Sequence, residues 1–326
     1  MYKAFFNLSR NPFDLTPDPS FLFPTKRHNE ALASLYYGVR RHKGFIVLTG
    51  EVGTGKTLVL RCLLQLFKNT KDLSYAYLFN SRLSPTEFLQ YVVTDFGLPS
   101  QGKNKSELLV ELCNYVVSRG LKKQTTVLII DEAHHLSADA LEELRLLTNL
   151  ETMDDKLLQI LLVGQPELDQ RLDSLGLRQL KQRIALRTHL SSLDLQETKE
   201  YIQWRLHVAG ANSSADTMFP EPTIAAVYEY SLGIPRVINT ICENALVTAY
   251  AAQAHIVSAS MVAEVAQSFR FDIGDFPDLE QEPMVDDNDV KRAAKILLDL
   301  YTSLQKPTIK KAELRIPVSR RGDEPV

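Results

Sequence analysis

Up to about residue 193, short runs of apolar residues alternate with longer amphipathic stretches. Four runs have the composition of buried strands, at residues 45–49, 75–79, 126–130 and 157–163. Helical spacing of apolar residues predicts helices around them, at residues 28–42, 57–67, 84–96, 106–119 and 138–149. This alternation predicts an α/β fold, in which helices cover both faces of a parallel sheet.

The remaining ordered pattern is helical only. From about residue 194 the apolar spacing predicts four helices, at residues 195–209, 221–231, 236–253 and 261–269. We therefore expect an α/β domain over residues 28–193 and a small all-helical domain over residues 194–270.

The first 27 residues combine prolines with aromatic side chains. The prolines are Pro12, Pro17, Pro19 and Pro24, and the aromatic residues are Phe13, Phe21 and Phe23. Prolines at this density argue against a long helix, and the aromatic rings argue against disorder. We expect an ordered, extended arm over residues 1–27 that packs on the domain.

Residues 271–326 differ in composition from everything before them. Eight acidic residues fall between residues 272 and 289, with no lysine or arginine among them, which is typical of a linker. Apolar residues then recur at positions 290, 294, 297, 301 and 304, a spacing that indicates a docking helix at residues 289–305.

The composition argues against several classes of protein. The chain has 326 residues, 44% hydrophobic and 24% charged, with a net charge of -3, so no global basic field demands nucleic acid. Three cysteines without a CxxC pair argue against a disulfide scaffold. No signal-peptide pattern opens the chain, and no apolar run approaches the roughly 18 residues of a membrane span. We expect a cytoplasmic protein that reaches the inner membrane only through partners.

A glycine-rich loop follows the first strand and precedes a helix. It matches G-x4-G-K-[ST] and consists of Gly50, Glu51, Val52, Gly53, Thr54, Gly55, Lys56 and Thr57. In that context the backbone N–H groups cradle phosphates, Lys56 reaches the β- and γ-phosphates, and Thr57 binds Mg2+. The loop therefore predicts an ATP site.

Two carboxylates end the third strand, where ligands bind in open parallel sheets. Asp131 is predicted to orient Mg2+ and Glu132 to polarise the attacking water. The adjoining His134 and His135 complete a DEAH-like string. However, a helicase would need a second α/β lobe, and adjacent residues on a helix or turn are not expected to face one metal site.

Three further side chains are candidates for hydrolysis. Gln165 follows the fourth strand, beside the predicted γ-phosphate, where it would hold the water or sense the phosphate. Arg236 opens a helix of the small domain, from which it would reach the γ-phosphate of its own chain. Arg183 would reach the nucleotide of a neighbouring subunit, with Arg178 and Arg187 as competitors.

These motifs, in this order, resemble AAA+ ATPases. The chain carries GEVGTGKT, VLIIDEAHHL, ILLVGQPEL, LKQRI and GIPRVINTICENAL. The opening, with NPF at residues 11–13, TPDP at 16–19 and HNEAL at 28–32, is similar to the ExeA/GspA group of secretion-associated ATPases, which is related to TnsC/TniB-type ATPases.

The resemblance implies a P-loop sandwich followed by a helical lid. It assigns Lys56 and Thr57 to Walker A, Asp131 and Glu132 to Walker B, Gln165 to sensor 1, and Arg236 to sensor 2. Arg183 becomes the arginine finger, and the arm, with Pro12, Phe13 and residues 28–31, would lie near the adenine. It also implies a ring or filament of subunits that share their ATP sites.

Three functions follow as hypotheses. The first is an ATPase that couples nucleotide state to the assembly of a type II secretion or envelope polysaccharide export system. The second is a DNA-binding regulator of TnsC/TniB type, for which the basic residues 40–43 are the motivation. The third is a scaffold that binds nucleotide without hydrolysing it, and Glu132 argues against that.

Overall fold

The elements of the computed structural model follow the predicted order closely. It describes residues 2–79, 82–153, 155–211 and 215–271. The strands are β1 Phe45–Gly50, β2 Leu73–Leu78, β3 Thr125–Ile130, β4 Leu158–Gly164 and β5 Ile184–Leu190. The helices are α1 Tyr2–Phe5, α2 Lys26–Arg40, α3 Lys56–Lys68, α4 Pro85–Asp95, α5 Lys105–Leu121, α6 Ala138–Leu147, α7 Pro166–Leu172, α8 Arg178–Lys181, α9 Leu195–Val208, α10 Ala215–Met218, α11 Glu221–Ser231, α12 Pro235–Ala251 and α13 Ala259–Phe269.

The five strands form one parallel sheet in the order β2-β3-β4-β1-β5. Helices α4, α5 and α6 bury one face, where Phe88, Leu112 and Leu141 have no exposed surface. Helices α2 and α3 cover the other face through residues such as Leu35 and Leu63. The predicted α/β fold is therefore confirmed.

The fifth strand is absent from the sequence-based expectation. β5 pairs with β1 at the edge of the sheet, and several of its residues are only half-buried. Arg187 and His189 interrupt its apolar character, so its pattern differs from the fully buried β1, β3 and β4. Only pairing with β1 identifies this stretch as a strand.

The helical domain and the N-terminal arm share one hydrophobic core. Phe13 has no exposed surface, and its ring centroid lies 5.8 Å from that of Phe219. Phe5 stacks on His255 at 4.1 Å, and the Tyr2 hydroxyl donates to Glu243 at 2.8 Å. The arm is ordered, as expected, but it begins with the short helix α1 and packs chiefly on the helical domain.

The predicted acidic linker and the predicted docking helix at residues 289–305 lie outside the described residues. Among the residues that the structure does describe, no helix combines the length and the apolar character needed to cross a membrane.

Candidate active site

The phosphate loop leaves the end of β1 and enters α3. Gly53 and Gly55 have φ angles of +88° and +103°, a conformation that side chains disfavour. A Cβ atom at Gly53 would lie 2.7 Å from the Cβ of Arg236, and one at Gly55 would lie 3.0 Å from Nε2 of His28. The loop needs these glycines because the helical domain and α2 press directly on its backbone.

Lys56, the first residue of α3, turns its side chain back into this loop. Its Nζ donates to the carbonyl oxygens of Gly50 at 2.6 Å and of Glu51 at 2.8 Å. Burial lowers the pKa of Lys56, while the charges of Glu132 and Asp131 oppose that shift. The ammonium group thus lies inside the curled loop, which fits the binding of a polyphosphate. Thr57 follows in the first turn of α3.

Asp131 lies at the carboxyl end of β3 and is 7% exposed. Its Oδ2 accepts a hydrogen bond of 2.8 Å from the Tyr77 hydroxyl, and its Oδ1 accepts one of 2.9 Å from the Glu132 backbone N–H. Burial raises the pKa of Asp131, and the Tyr77 bond acts in the opposite direction. Sequence reasoning missed Tyr77, because only the pairing of β2 with β3 brings it beside Asp131.

Glu132 occupies a left-handed turn, with φ of +50°. Its Oε2 lies 3.4 Å from Nδ1 of His134, a ring whose pKa is lowered by burial. The Gln165 backbone N–H donates to the same Nδ1 at 3.4 Å. His134 therefore lies between the predicted water-polarising carboxylate at the end of β3 and Gln165, which follows β4.

The expectation that the adjacent side chains of His134 and His135 do not face one site is wrong. Residues 133–135 form a single 3-10 turn, and the two rings have centroids 4.0 Å apart. Ligand atoms of Glu132, His134 and His135 all lie within 4.8 Å of one another. The tight turn after Glu132 places these side chains together, a geometry that sequence spacing does not reveal.

Arg236 is the second residue of α12, next to the phosphate loop of its own chain. Its backbone N–H donates to the carbonyl oxygen of Gly53 at 3.2 Å. Just before it, Gly233 approaches the segment between the domains so closely that a Cβ there would lie 1.8 Å from the Leu193 carbonyl oxygen. The two domains thus meet at the loop, and Arg236 lies at that contact.

Arg183 lies at the opposite edge of the sheet. It precedes β5, which pairs with β1 from Phe45↔Ile184 to Gly50↔Leu190. β5 has seven residues, and strands rise roughly 3.3 Å per residue, so roughly 20 Å separate Arg183 from the loop. Its guanidinium donates to Thr148 at 2.5 Å. The structure therefore does not bring Arg183 to the nucleotide site of its own chain.

The two competing arginines differ in their surroundings. Arg178 opens α8 and is exposed. Arg187 lies on β5 and pairs with Asp169 at 3.3 Å and with Asp173 at 3.4 Å.

His28 supports the loop from the other side. Its Nε2 lies 3.1 Å from the Thr54 carbonyl oxygen, and its Nδ1 lies 2.7 Å from the Thr25 hydroxyl. If Nε2–H donates to the carbonyl, Nδ1 is left to accept from the hydroxyl. Phe13, by contrast, lies fully inside the helical core, so it supports the arm instead of lining an open site.

The chain resembles known proteins in sequence. Residues 39–172 match the family model described as an AAA domain. The chain is 43% identical over 256 residues to general secretion pathway protein A from Aeromonas hydrophila. That match covers 78% of this chain and 46% of the relative, so the chain spans about half of the relative's length.

Solved structures share the fold at low sequence identity. The Aeropyrum pernix ORC2 protein aligns with a TM-score of 0.59 and 20% identity, over 79% of this chain and 71% of that one. The structure of Drosophila ORC bound to DNA aligns with a TM-score of 0.61 and 18% identity, over 82% of this chain and 66% of that one. The Thermotoga maritima RuvB Holliday junction branch migration motor aligns with a TM-score of 0.51 and 16% identity, over 85% of this chain and 77% of that one. These alignments show the fold alone, whereas the AAA domain match and the 43% identical relative show that the chain belongs to the AAA-domain proteins, in the group related to general secretion pathway protein A.

Proposed function

We propose that this protein hydrolyses ATP to ADP and phosphate, and that its nucleotide state controls the assembly of several copies of the chain. The observation that carries the proposal is the gathering of charge at one edge of the sheet. There, burial lowers the pKa of Lys56, and the charges of Glu132, Asp131, Glu51 and Glu167 oppose that shift. A buried cation surrounded by carboxylates is suited to binding an anionic substrate together with a divalent cation.

Each side chain has a separate task in this proposal. Lys56 and the loop N–H groups bind the phosphates. Thr57 and Asp131 hold Mg2+, which neutralises phosphate charge when it is bound. Glu132 accepts a proton from the attacking water, and Gln165 orients that water. Arg236 contacts the γ-phosphate when the helical domain closes over the nucleotide.

The arginine at the other edge supports a site shared between subunits. Arg183 lies roughly 20 Å from its own loop, by the rise of β5. A neighbouring copy that stacks this edge against the nucleotide edge would gain the guanidinium during phosphoryl transfer. A ring or a filament would satisfy this contact.

We further propose a pathway from the similarity to general secretion pathway protein A. The assembly would serve a type II secretion or envelope polysaccharide export system, from the cytoplasm and through inner-membrane partners. The Glu132→Gln variant of the full chain should bind ATP and hydrolyse it only slowly. A pull-down with this variant should therefore recover envelope proteins. Recovery of cytoplasmic proteins alone would contradict this pathway.

The test of the central proposal is phosphate release as a function of protein concentration. A shared site predicts that the rate per subunit rises with concentration and then saturates, since only assembled chains are complete. A rate per subunit that is constant over a 100-fold range, roughly, would contradict assembly-dependent hydrolysis. No phosphate release at any concentration would contradict hydrolysis itself.

A second candidate function is nucleic-acid binding, which one surface favours. The loops that precede β1, β2 and β3 all lie at the amino edge of the sheet, as do their exposed cations Arg40, Arg41, Lys43, Lys68, Lys71, Lys122 and Lys123. Side chains connect these loops: His42 lies 3.1 Å from the Thr125 hydroxyl, and Arg119 donates to the Asp72 carbonyl at 3.1 Å. The cations therefore belong to one rigid surface, which we name the basic edge.

Binding to duplex DNA at several salt concentrations tests this second function. Loss of a phosphate contact should weaken binding and reduce the salt slope by roughly 0.9. Arg41→Glu and Lys123→Glu should both show this effect. Lys26→Glu is the matched control, because Lys26 is exposed but begins α2, away from the basic edge. Equal affinities for all three variants would exclude the basic edge as the DNA site.

A further inference from the structure

The turn after β3 gathers three metal-binding side chains beside the nucleotide site. Glu132, His134 and His135 contribute ligand atoms that lie within 4.8 Å of one another. His134 is partly buried, with 9% of its side chain exposed, while His135 is exposed. The cluster thus has an inner ligand that is held in place and an outer ligand that is open to solvent.

The spacing of the inner pair suits a tetrahedral ion. Ligand atoms at about 2.05 Å from a tetrahedral zinc lie roughly 3.3 Å from each other. Oε2 of Glu132 and Nδ1 of His134 are 3.4 Å apart. The third ligand, from His135, needs only a small movement of an exposed ring. A fourth position remains for water.

The donor set distinguishes this cluster from the proposed magnesium site. Two imidazoles and one carboxylate suit Zn2+ and similar transition metals, whereas Mg2+ prefers oxygen ligands. Thr57 and Asp131 offer oxygen only. The two kinds of ion therefore select different groups, although Asp131 and Glu132 are neighbours in sequence.

The polypeptide around the cluster is held rigidly. The Arg171 guanidinium donates to the carbonyl oxygens of His134 and Leu136. The backbone N of His134 would lie 3.3 Å from a Cβ placed on Gly164, so β4 packs closely against the turn. Coordination by Nδ1 of His134 would use the lone pair that now accepts a hydrogen bond from the Gln165 N–H, so this 3.4 Å hydrogen bond must open when the ion binds.

We propose that Glu132, His134 and His135 form a site for Zn2+ or a similar imidazole-preferring ion, and that the bound ion reversibly stops hydrolysis. The ion takes the Glu132 carboxylate, which can then no longer accept a proton from water. Metal binding is independent of the proposed ATPase activity, and only the inhibition rests on it.

The metal site is tested first on the untagged, nucleotide-free full chain, with Co2+ as a spectroscopic probe. We expect one Co2+ per chain, the intense visible absorption of a four-coordinate ion, and displacement by Zn2+. His135→Ala should weaken binding by roughly tenfold or more, as ligand and second-shell losses do in metal sites. His134→Leu should abolish the absorption. His207→Ala, at an exposed histidine on α9, should leave it unchanged.

Two results would overturn the metal site: the absence of a visible band, or equal affinities of the wild type and His135→Ala. Because His135 is exposed, its variant keeps the test decisive even if His134→Leu fails to fold.

The inhibition is tested by adding Zn2+ to the wild type and to His135→Ala in excess Mg2+ and ATP. Half-inhibition of His135→Ala should need roughly ten times more zinc. Cobalt binding together with zinc-insensitive hydrolysis would refute the inhibition. A wild type that hydrolyses no ATP would instead refute the proposed function, and the cobalt result would stand.

Discussion

The carboxyl edge of the sheet and its amino edge differ in how their charged groups are held. At the carboxyl edge, Lys56 bonds to loop carbonyls and Asp131 to Tyr77, both within the same chain. At the amino edge, the cations of the basic edge are exposed, and the Arg183 guanidinium donates to Thr148 at the end of α6. The charged groups of the carboxyl edge are held in place by hydrogen bonds within the chain, whereas the cations of the amino edge are available to a binding partner.

This difference indicates a division of labour. Buried charges that are paired in place keep their geometry without reorganisation, which suits catalysis. Exposed cations contribute little to stability but attract anionic partners over a distance. We therefore expect substitutions at the carboxyl edge to act inside one subunit, and Arg183 to act between subunits.

Glu132→Gln should have the largest effect, because it removes the general base at the carboxyl edge. The rate of phosphate release should fall by roughly 10²–10⁴-fold, while ATP binding stays close to that of the wild type. Single-turnover phosphate release and equilibrium nucleotide binding measure the two quantities. A wild-type rate would show that Glu132 is not the base and that this edge binds without hydrolysing.

Arg183→Ala should lower the assembled rate by about 10³-fold, the magnitude expected for a transferred arginine. Mixing provides the sharper measurement. Arg183→Ala subunits keep an intact loop, and inactive Lys56→Ala subunits keep the arginine, so the mixture should recover activity. Arg178→Ala is the matched variant: if it alone shows this complementation, Arg178 is the transferred arginine. If neither Arg183→Ala nor Arg178→Ala recovers activity when it is mixed with Lys56→Ala, the shared site is contradicted.

Arg236→Ala should lower the rate by roughly 10²-fold, the cost of one lost charge-stabilising donor. Since its helix bonds to Gly53 of the same chain, mixing with Lys56→Ala subunits should restore nothing. Steady-state phosphate release of the mixture is the measurement. Recovery in the mixture would mean that Arg236 also acts between subunits, and the contrast between the edges would fail.

Tyr77→Phe should have the smallest effect, about fivefold for one hydrogen bond of roughly 1 kcal/mol. The Tyr77 hydroxyl favours the charged Asp131, so its removal raises the Asp131 pKa further. The carboxylate would then become protonated at a higher pH, and the acid limb of the rate profile should shift upward in pH. The profile at saturating ATP measures this, with Tyr75→Phe on the same strand as control. An unmoved acid limb would mean that Tyr77 does not tune Asp131.

Local pattern was enough for the main part of the fold and for the residues of the phosphate loop. Buried parallel strands are continuous apolar runs, and the glycine loop has a backbone requirement that only a few residue types meet. The same reasons let the sequence assign Lys56, Thr57 and Asp131 to the predicted site. The helices predicted from residues 84, 106 and 195 begin within one residue of those positions, and Ser84, Asn104 and Asp194 cap their first turns.

Tertiary structure alone decided which distant groups meet. The edge strand β5 has a mixed pattern that only its pairing with β1 explains, and that pairing separates Arg183 from its own loop. Tyr77 reaches Asp131 because β2 lies beside β3. Likewise, the left-handed turn at Glu132 brings His134 and His135 together. Residue order determines local conformation, whereas contacts across the sheet depend on strand order and register, which no short segment encodes.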